Sequence, residues 1–252
     1  MKVICAASRK GGGGKTNSTR HMAVAALRGG VGRVAIVDLD PMRGLSRWWQ
    51  RRPEDGLELI QLAPPDLPTE THDQRAAAAL AAAKRLSAAV PALRAQGYGL
   101  LLIDTPPSAD QIVRLAVEAA DLVLVPVRPS PDDLDAVGET VDLVAAVGRP
   151  LIFLVNSATK KARLTGDAAI ALSQHGTVAP AILHRSDAYA ASALDGLTVL
   201  ESDPRGAPAQ EVGALWAYVA KRAGLLTSEL ANTLSNKPAL KVVGGRVKGQ
   251  TG

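Results

Sequence analysis

Short apolar runs rich in Val, Ile and Leu alternate along this chain with longer segments of helical composition. That alternation predicts an α/β fold in which a mostly parallel, twisted sheet carries helices on both faces. Lys2 to Ala7 is predicted as the first strand and Thr16 to Leu27 as the helix after it. Arg33 to Asp38 reads as a second strand, Leu45 to Arg52 as a short helix, and Leu57 to Leu62 as another strand. Pro64, Pro65 and Pro68 then punctuate a loop. Thr71 to Arg94 is rich in Ala with interspersed Arg and Lys, a composition of high helix propensity. Gly99 to Asp104 is the most apolar run and suits a central strand buried on both faces. Leu122 to Val127 and Leu151 to Asn156 continue the series. Ala179 to Leu183 and Thr198 to Leu200 are expected as edge strands, and Ala209 to Ala223 as the last helix.

Composition narrows the picture. The aromatic residues are three Trp, three Tyr and one Phe, so the core must rest on Ala, Val, Leu and Ile. The one cysteine, Cys5, lies inside the first apolar run. This excludes a disulfide framework, a cysteine zinc site and an iron–sulfur cluster held by this chain's cysteines. No signal peptide is visible, the apolar stretches are expected to fall short of the roughly 18 residues of a membrane span, and a cytoplasmic location is expected. A net charge of +5 fits plain solubility, and it also fits weak, sequence-independent contact with DNA. No internal repeat or interdomain linker interrupts the pattern. One domain is expected over residues 1–235, followed at 236–252 by a basic, glycine-containing tail with Lys237, Lys241, Arg246 and Lys248. The tail has no helical apolar stripe and is expected to be a frayed terminus.

The chemistry concentrates between the first strand and the first helix, in Arg9-Lys10-Gly11-Gly12-Gly13-Gly14-Lys15-Thr16. Four consecutive glycines let the backbone curl with its N–H groups pointing inward, a nest for anionic oxygens. The helix that follows adds its N-terminus, with free N–H groups and the positive end of its dipole. Lys15 can reach the β- and γ-phosphates of a nucleotide, and the Thr16 hydroxyl can ligate Mg²⁺. Asp38 and Asp40 end the second strand at the carboxyl edge, where ligands of open sheets sit. Asp38 also suits a turn or helix cap. Asp104 follows four apolar strand residues, a place where a carboxylate has little structural reason unless it meets a cation. It is assigned to Mg²⁺ through water.

A standard phosphate loop would place its first glycine at Arg9. Here an additional lysine, Lys10, heads the glycines, and the loop resembles the deviant Walker A motif of the ParA/MinD family, Lys-Gly-Gly-x-Gly-Lys-Thr. The resemblance covers roughly residues 1–220 and points to the small ParA-type proteins that lack an N-terminal helix-turn-helix domain. It implies a P-loop ATPase that holds MgATP between two copies of itself. Lys10 would then reach in trans to the partner's nucleotide while Lys15 acts in cis. Val34 to Pro41 resembles the family's Asp-x-Asp-Pro-Gln segment, which implies that Asp40 positions the attacking water and that Asp38 supports the metal and phosphate network. Met42 replaces the usual Gln. Leu100 to Pro107 resembles the Walker B strand and switch II. Leu124 to Pro131 resembles the end of the next family strand, and Leu183 to Tyr189 with Leu197 to Glu201 resembles a late pattern of the small subgroup. Asn17 stands for a common Thr beside the α-phosphate. Asn156 falls where relatives read adenine, although a turn-forming Asn fits the same place.

The function implied by this resemblance is a partition or positioning ATPase with weak intrinsic activity. An ATP-dependent homodimer would bind DNA non-specifically and would be released when a ParB-like or other cargo adaptor stimulates hydrolysis. Its location would be cytoplasmic, and nucleoid-associated in the ATP state. Lys160, Lys161, Arg163 and Arg185 are the candidate DNA contacts, since phosphate contacts add through counterion release. A MinD-like membrane-cycling regulator would need an amphipathic C-terminal helix, and Lys241 to Lys248 lacks the length and propensity for one. No membrane contact is expected. A metabolic ligase of the same fold is the other alternative, against which Lys10 and the Asp38–Asp40 pair argue.

Overall fold

The computed structural model describes residues 1–62, 71–107 and 110–225. The proline loop and the basic tail lie outside the described residues. Seven strands form one sheet: β1 (Lys2–Ala6), β2 (Arg33–Asp38), β3 (Leu57–Leu59), β4 (Tyr98–Asp104), β5 (Leu122–Val127), β6 (Leu151–Val155) and β7 (Thr177–Val178). Their order is β3-β2-β4-β1-β5-β6-β7, and every pairing is parallel. The helices are α1 (Lys15–Arg28), α2 (Gly44–Gln50), α3 (His72–Ala95), α4 (Asp110–Ala119), α5 (Pro131–Asp135), α6 (Val137–Val147), α7 (Arg163–Ser173), α8 (Ala188–Leu194), α9 (Val199–Ser202) and α10 (Ala207–Arg222). This is the single-domain α/β architecture that the alternating pattern predicts.

The period of two along each strand divides the core between the faces of the sheet. Val3, Cys5, Leu101 and Ile103 turn to one face, where Ala79, Ala83, Leu86, Val113, Ala116 and Leu172 cover them from α3, α4 and α7. Ile4, Leu100 and Leu102 turn to the other, against Met22, Trp48, Val212, Leu215 and Trp216 from α1, α2 and α10. Apolar side chains on both faces of β1, β4 and β5 explain why these strands read as unbroken apolar runs.

α3 departs from the expectation that no segment is long and apolar enough to span a membrane, since its 24 residues meet that criterion by length and composition. The reason is alanine, which raises hydropathy without adding bulk. The helix is closed at its start by a capping box, Thr71 with Gln74, and it sends Ala79, Ala82, Ala83, Leu86 and Leu93 into the core. Pro91 lies inside it and removes one backbone bond without ending the helix.

Two edge-strand expectations are corrected. The ladder with β6 ends at Val178; Ala179 N and Leu183 N still donate to Phe153 O (2.8 Å) and Val155 O (3.0 Å), but Pro180, which has no N–H to offer, interrupts the segment expected as a strand from Ala179 to Leu183. Thr198 to Leu200 is the start of a helix. Glu201 accepts hydrogen bonds from Thr198 N (2.7 Å) and Thr198 Oγ1 (2.9 Å), so the β-branched pair that suggests a strand instead opens α9.

Glu201 also faces Arg52, with Nη2 to Oε1 at 2.7 Å and side chains 4% and 9% exposed. Arg52 gives a further bond to the Gly196 carbonyl at 3.2 Å and stacks over the Trp48 ring. Burial works to raise the Glu201 pKa, but Arg52 and Thr198 outweigh it and hold the carboxyl below its ordinary value of 4.5. The stability that this lowered pKa contributes is therefore full above pH 4.5 and is lost as pH falls through the lower folded value. Glu201→Ala, which leaves Arg52 buried and without its carboxylate, should cost about 3–5 kcal/mol in urea unfolding at neutral pH. The gap between variant and wild type should narrow in acid.

Candidate functional site

The site lies at the carboxyl edge of β1, β2 and β4, and the strand register assembles it. Asp38 of β2 is the direct neighbour of Asp104 of β4, which in turn pairs with Ala6 of β1, the strand leading into the glycine loop. Asp104 is fully buried. Its Oδ2 accepts a 2.6 Å hydrogen bond from Thr16 Oγ1 in the first turn of α1, while its Oδ1 is buried with no hydrogen-bond partner. Burial first, and then the nearby Asp38, push the Asp104 carboxyl well above the usual carboxylate range.

The loop needs its glycines. A Cβ on Gly13 would stand 2.8 Å from the Pro126 carbonyl oxygen. Gly14 has φ of 100°, and a Cβ there would stand 2.1 Å from Asn156 Nδ2. Asn156 donates from that nitrogen to the Gly13 carbonyl at 2.7 Å, which ties the loop to the end of β6. Lys15 is buried, and its Nζ donates to the Ser8 carbonyl at 3.0 Å and the Lys10 carbonyl at 3.3 Å. Burial lowers the Lys15 pKa, against the pull of Asp104 and Asp40. Gly11, Gly12, Gly14, Lys15, Thr16, Asn17, Asp40 and Pro107 line a cavity of about 250 Å³.

Asp38 is occupied as a scaffold. Its Oδ1 accepts from Asp40 N (3.0 Å), and its Oδ2 accepts from Ser46 N and Ser46 Oγ, both at 2.8 Å. These bonds fix the turn after β2 and dock α2 on it. Asp40 closes the turn through Oδ1, which accepts from Met42 N at 2.8 Å, and its Oδ2 makes no hydrogen bond among the described residues. Met42 is an exposed apolar side chain. Asn17 Oδ1 accepts from Arg20 Nη2 at 2.7 Å, and Arg20 also reaches the Tyr189 carbonyl at 3.1 Å.

Lys10 turns away from the cavity. Its Nζ pairs with Asp133 Oδ1 at 2.7 Å and approaches Asp132 at 3.8 Å. Asp133 also receives Arg128, through Nε at 2.7 Å and Nη2 at 3.0 Å. Burial works to raise the Asp133 pKa, but hydrogen bonds from Arg128 and Lys10 outweigh it and hold it at about 2.

The four basic candidates lie apart from the cavity and are exposed. Two backbone bonds, Ala158 N to Leu183 O (3.1 Å) and Arg185 N to Ala158 O (2.9 Å), bring the loop of Lys160, Lys161 and Arg163 beside Arg185. Arg163 is shared with Asp167 at 3.3 Å. Asp133, Ser46 and Arg20 have no counterpart in the sequence reading. Lys10 and the Tyr189 carbonyl are remote in the chain from Asp133 and Arg20, and the bonds of Ser46 depend on the turn after β2, so no local motif marks these residues.

The residues fit a nucleotide with Mg²⁺. Asp104 Oδ1 is an orphaned, buried carboxyl oxygen beside a hydroxyl. Among the described residues, no group of three or more His, Cys, Asp or Glu is arranged to hold a metal ion by itself. One carboxylate and one hydroxyl suit Mg²⁺, which takes its remaining oxygens from phosphates and water.

Fold and site together define a P-loop nucleotide-binding protein of the deviant Walker A class. The model of the MipZ ATPase family matches residues 2–170. The chain is 31% identical over 230 residues to the maintenance of carboxysome distribution protein A of Gloeobacter kilaueensis, covering 87% of this chain and 93% of that protein. It is 36% identical over 146 residues to the chromosome-partitioning ATPase Soj of Thermus thermophilus, 51% of this chain and 55% of that one. Among solved structures, the cell division ATPase MinD of Pyrococcus furiosus superposes with a TM-score of 0.72 at 20% identity, covering 88% of this chain and 99% of that one. That likeness shows the fold alone. The chain belongs to the MipZ/ParA/MinD-type family of positioning ATPases.

Asp104→Asn removes the buried carboxyl that would meet the metal and keeps an oxygen to accept from Thr16. Without nucleotide the variant should unfold in urea close to wild type, since burial already favours the neutral acid. Its nucleotide affinity should cease to respond to Mg²⁺ in a calorimetric titration.

Proposed function

We propose that the chain hydrolyses ATP slowly, as an ATP-sandwich dimer that binds DNA non-specifically and positions a cargo. The observation that carries this reading is the division of labour between the two lysines. Lys15 is enclosed beside the cavity, whereas the Lys10 ammonium lies outside it, held by an acid rather than directed at its own phosphate cradle. A lysine so placed is available to a second copy.

In this reading the backbone of Gly11, Gly12, Gly13 and Gly14 and the N-terminus of α1 receive the phosphates, with Lys15 on the β- and γ-oxygens. Thr16 and Asp104 would hold Mg²⁺, which when bound would supply positive charge against the phosphates. Asp38 supports that network by fixing Asp40. Asp40 keeps Oδ2 for the attacking water, and ATP and water become ADP and phosphate. Asn17 serves the α-phosphate, and Asn156, beside Gly14, borders the adenine. Lys10 adds its charge to the partner's nucleotide, which couples ATP to dimerisation.

Lys160, Lys161, Arg163 and Arg185 form the DNA-facing surface, supported by the two backbone bonds that join their loops. One protomer offers few phosphate contacts, and non-specific dissociation constants run at about 10⁻⁴–10⁻⁶ M. A dimer links two such patches, so ATP becomes the affinity switch. A ParB-like or other adaptor would accelerate hydrolysis and release the dimer. In this reading the protein is cytoplasmic and sits on the nucleoid in its ATP state, with a chromosome, plasmid or protein organelle as cargo; the names of two relatives, a chromosome-partitioning and a carboxysome-distribution protein, fit that class of cargo.

Sedimentation with a non-hydrolysable ATP analogue tests the lysines. Lys10→Ala should bind nucleotide and stay monomeric, and Lys15→Ala should lose most nucleotide affinity. A Lys10→Ala dimer as strong as wild type would overturn the in-trans role.

Gel shifts on unrelated duplexes should show binding with ATP and not with ADP, with a steep loss on added salt. Arg185→Ala should weaken binding several-fold and leave dimerisation intact. Equal binding in both nucleotide states would remove DNA as the ATP-gated track.

A further inference from the structure

In the single chain, the lysine that the proposed function sends to a second copy rests on Asp133. That side chain is 3% exposed. Withdrawing Lys10 would strand a buried carboxylate, a costly state, unless another cation stayed behind. Asp132, the more distant Lys10 partner, is 88% exposed and needs no replacement beyond water.

Arg128 meets the requirement at Asp133. It follows Val127 at the carboxyl end of β5, five residues before Asp133, and Ser130 caps α5, the short helix that carries Asp133. Its Nε donates to Asp133 Oδ2 at 2.7 Å and its Nη2 to Oδ1 at 3.0 Å, a bidentate fork, while its own backbone N reaches Oδ2 at 3.3 Å. Each carboxylate oxygen therefore keeps a charged donor after Lys10 leaves. The third guanidinium nitrogen, Nη1, faces the crest of the phosphate loop, where a Cβ on Gly12 would stand 3.5 Å from it. Arg128 is thus outside the loop, on the side where Lys10 lies, and it is absent from the cavity lining.

Two cations share one buried carboxylate, and their geometries are unequal. A planar fork bound at two points is the resident, and a flexible ammonium bound at one point is the exchangeable member. We infer that Arg128 is a positioning residue, the permanent counter-ion of Asp133, which frees Lys10 to pass between Asp133 in its own chain and the nucleotide of a second copy. The inference rests on the in-trans reading of Lys10. It adds that Asp133 opposes dimerisation and that Arg128 weakens that opposition.

The test is sedimentation of the full chain with a non-hydrolysable ATP analogue and Mg²⁺. Arg128→Gln leaves Lys10 as the sole cation on Asp133, so the dimer should weaken at least tenfold. Arg128→Lys, which restores a charge, should recover most of that loss. Asp133→Asn placed in the Arg128→Gln chain should return dimerisation to within about threefold of wild type, because no carboxylate is left to retain Lys10. A purely structural role for Arg128 would give no such rescue. Wild-type dimerisation by Arg128→Gln, or a double variant as weak as the single one, would overturn the inference. If Arg128→Gln does not fold, Asp133→Asn alone decides: a dimer tighter than wild type supports the inference, and an equal or weaker one overturns it. Lys10→Ala run in parallel separates the two readings. If it dimerises like wild type, the in-trans role fails and the inference falls with it. If it stays monomeric, the Arg128 variants judge the inference alone.

Discussion

The hydrogen bond from Thr16 to Asp104 joins the two halves of the site, and most of the arrangement follows from the burial of that carboxylate. An acid at the end of an apolar strand, enclosed on every side, is tolerable only where positive charge is near or arriving. Lys15 and the N-terminus of α1 supply part of it, and the unpartnered Oδ1 marks where more is needed. The strand order makes this possible: β4 lies between β1 and β2, so its last residue adjoins both the glycine loop and the Asp38–Asp40 turn. Moving Asp104 by one residue would turn it to the opposite face of the sheet.

The loop itself has an inner and an outer surface with different tasks. Inside, Gly11, Gly12, Gly14 and Lys15 line the cavity. Outside, Lys10 and Arg128 gather on Asp133, and Arg9 pairs with Glu139 of α6 at 2.9 Å. The outer surface is therefore a layer of ion pairs between the loop and the segment after β5. Its charges balance within one chain, and so they can be redistributed when another chain's charges approach. The inner surface has no such reserve, since Asp104 and Lys15 are buried and fixed.

Much of this was legible in the sequence because strand and loop signals are local. The six longer apolar runs became strands within a few residues of their expected bounds, and Gly-Lys-Thr between a strand and a helix located the phosphate loop. Legibility ended where partners are far apart in the chain. Nothing near Asp133 announces Lys10, and Glu201 looks like the end of a β-branched run until Thr198 and Arg52 are seen to hold it. Proline and capping chemistry overrode composition at Pro180 and Thr198. Asp38 illustrates the intermediate case: its position at a strand end was evident, but its bonds to Ser46 depend on how α2 folds back.

Gly14 and Asn156 have a consequence for how such a chain can diverge. The amide nitrogen of Asn156 fills the space a side chain at position 14 would need, and the same nitrogen holds the Gly13 carbonyl. Neither position is free to drift by itself: a larger residue at 14 collides with the amide, and a smaller one at 156 leaves the loop untied. Substitutions acceptable at one site are therefore conditional on the other, across 141 residues of intervening sequence. The glycine of the phosphate loop and the asparagine beyond β6 are in effect a single heritable character written in two places.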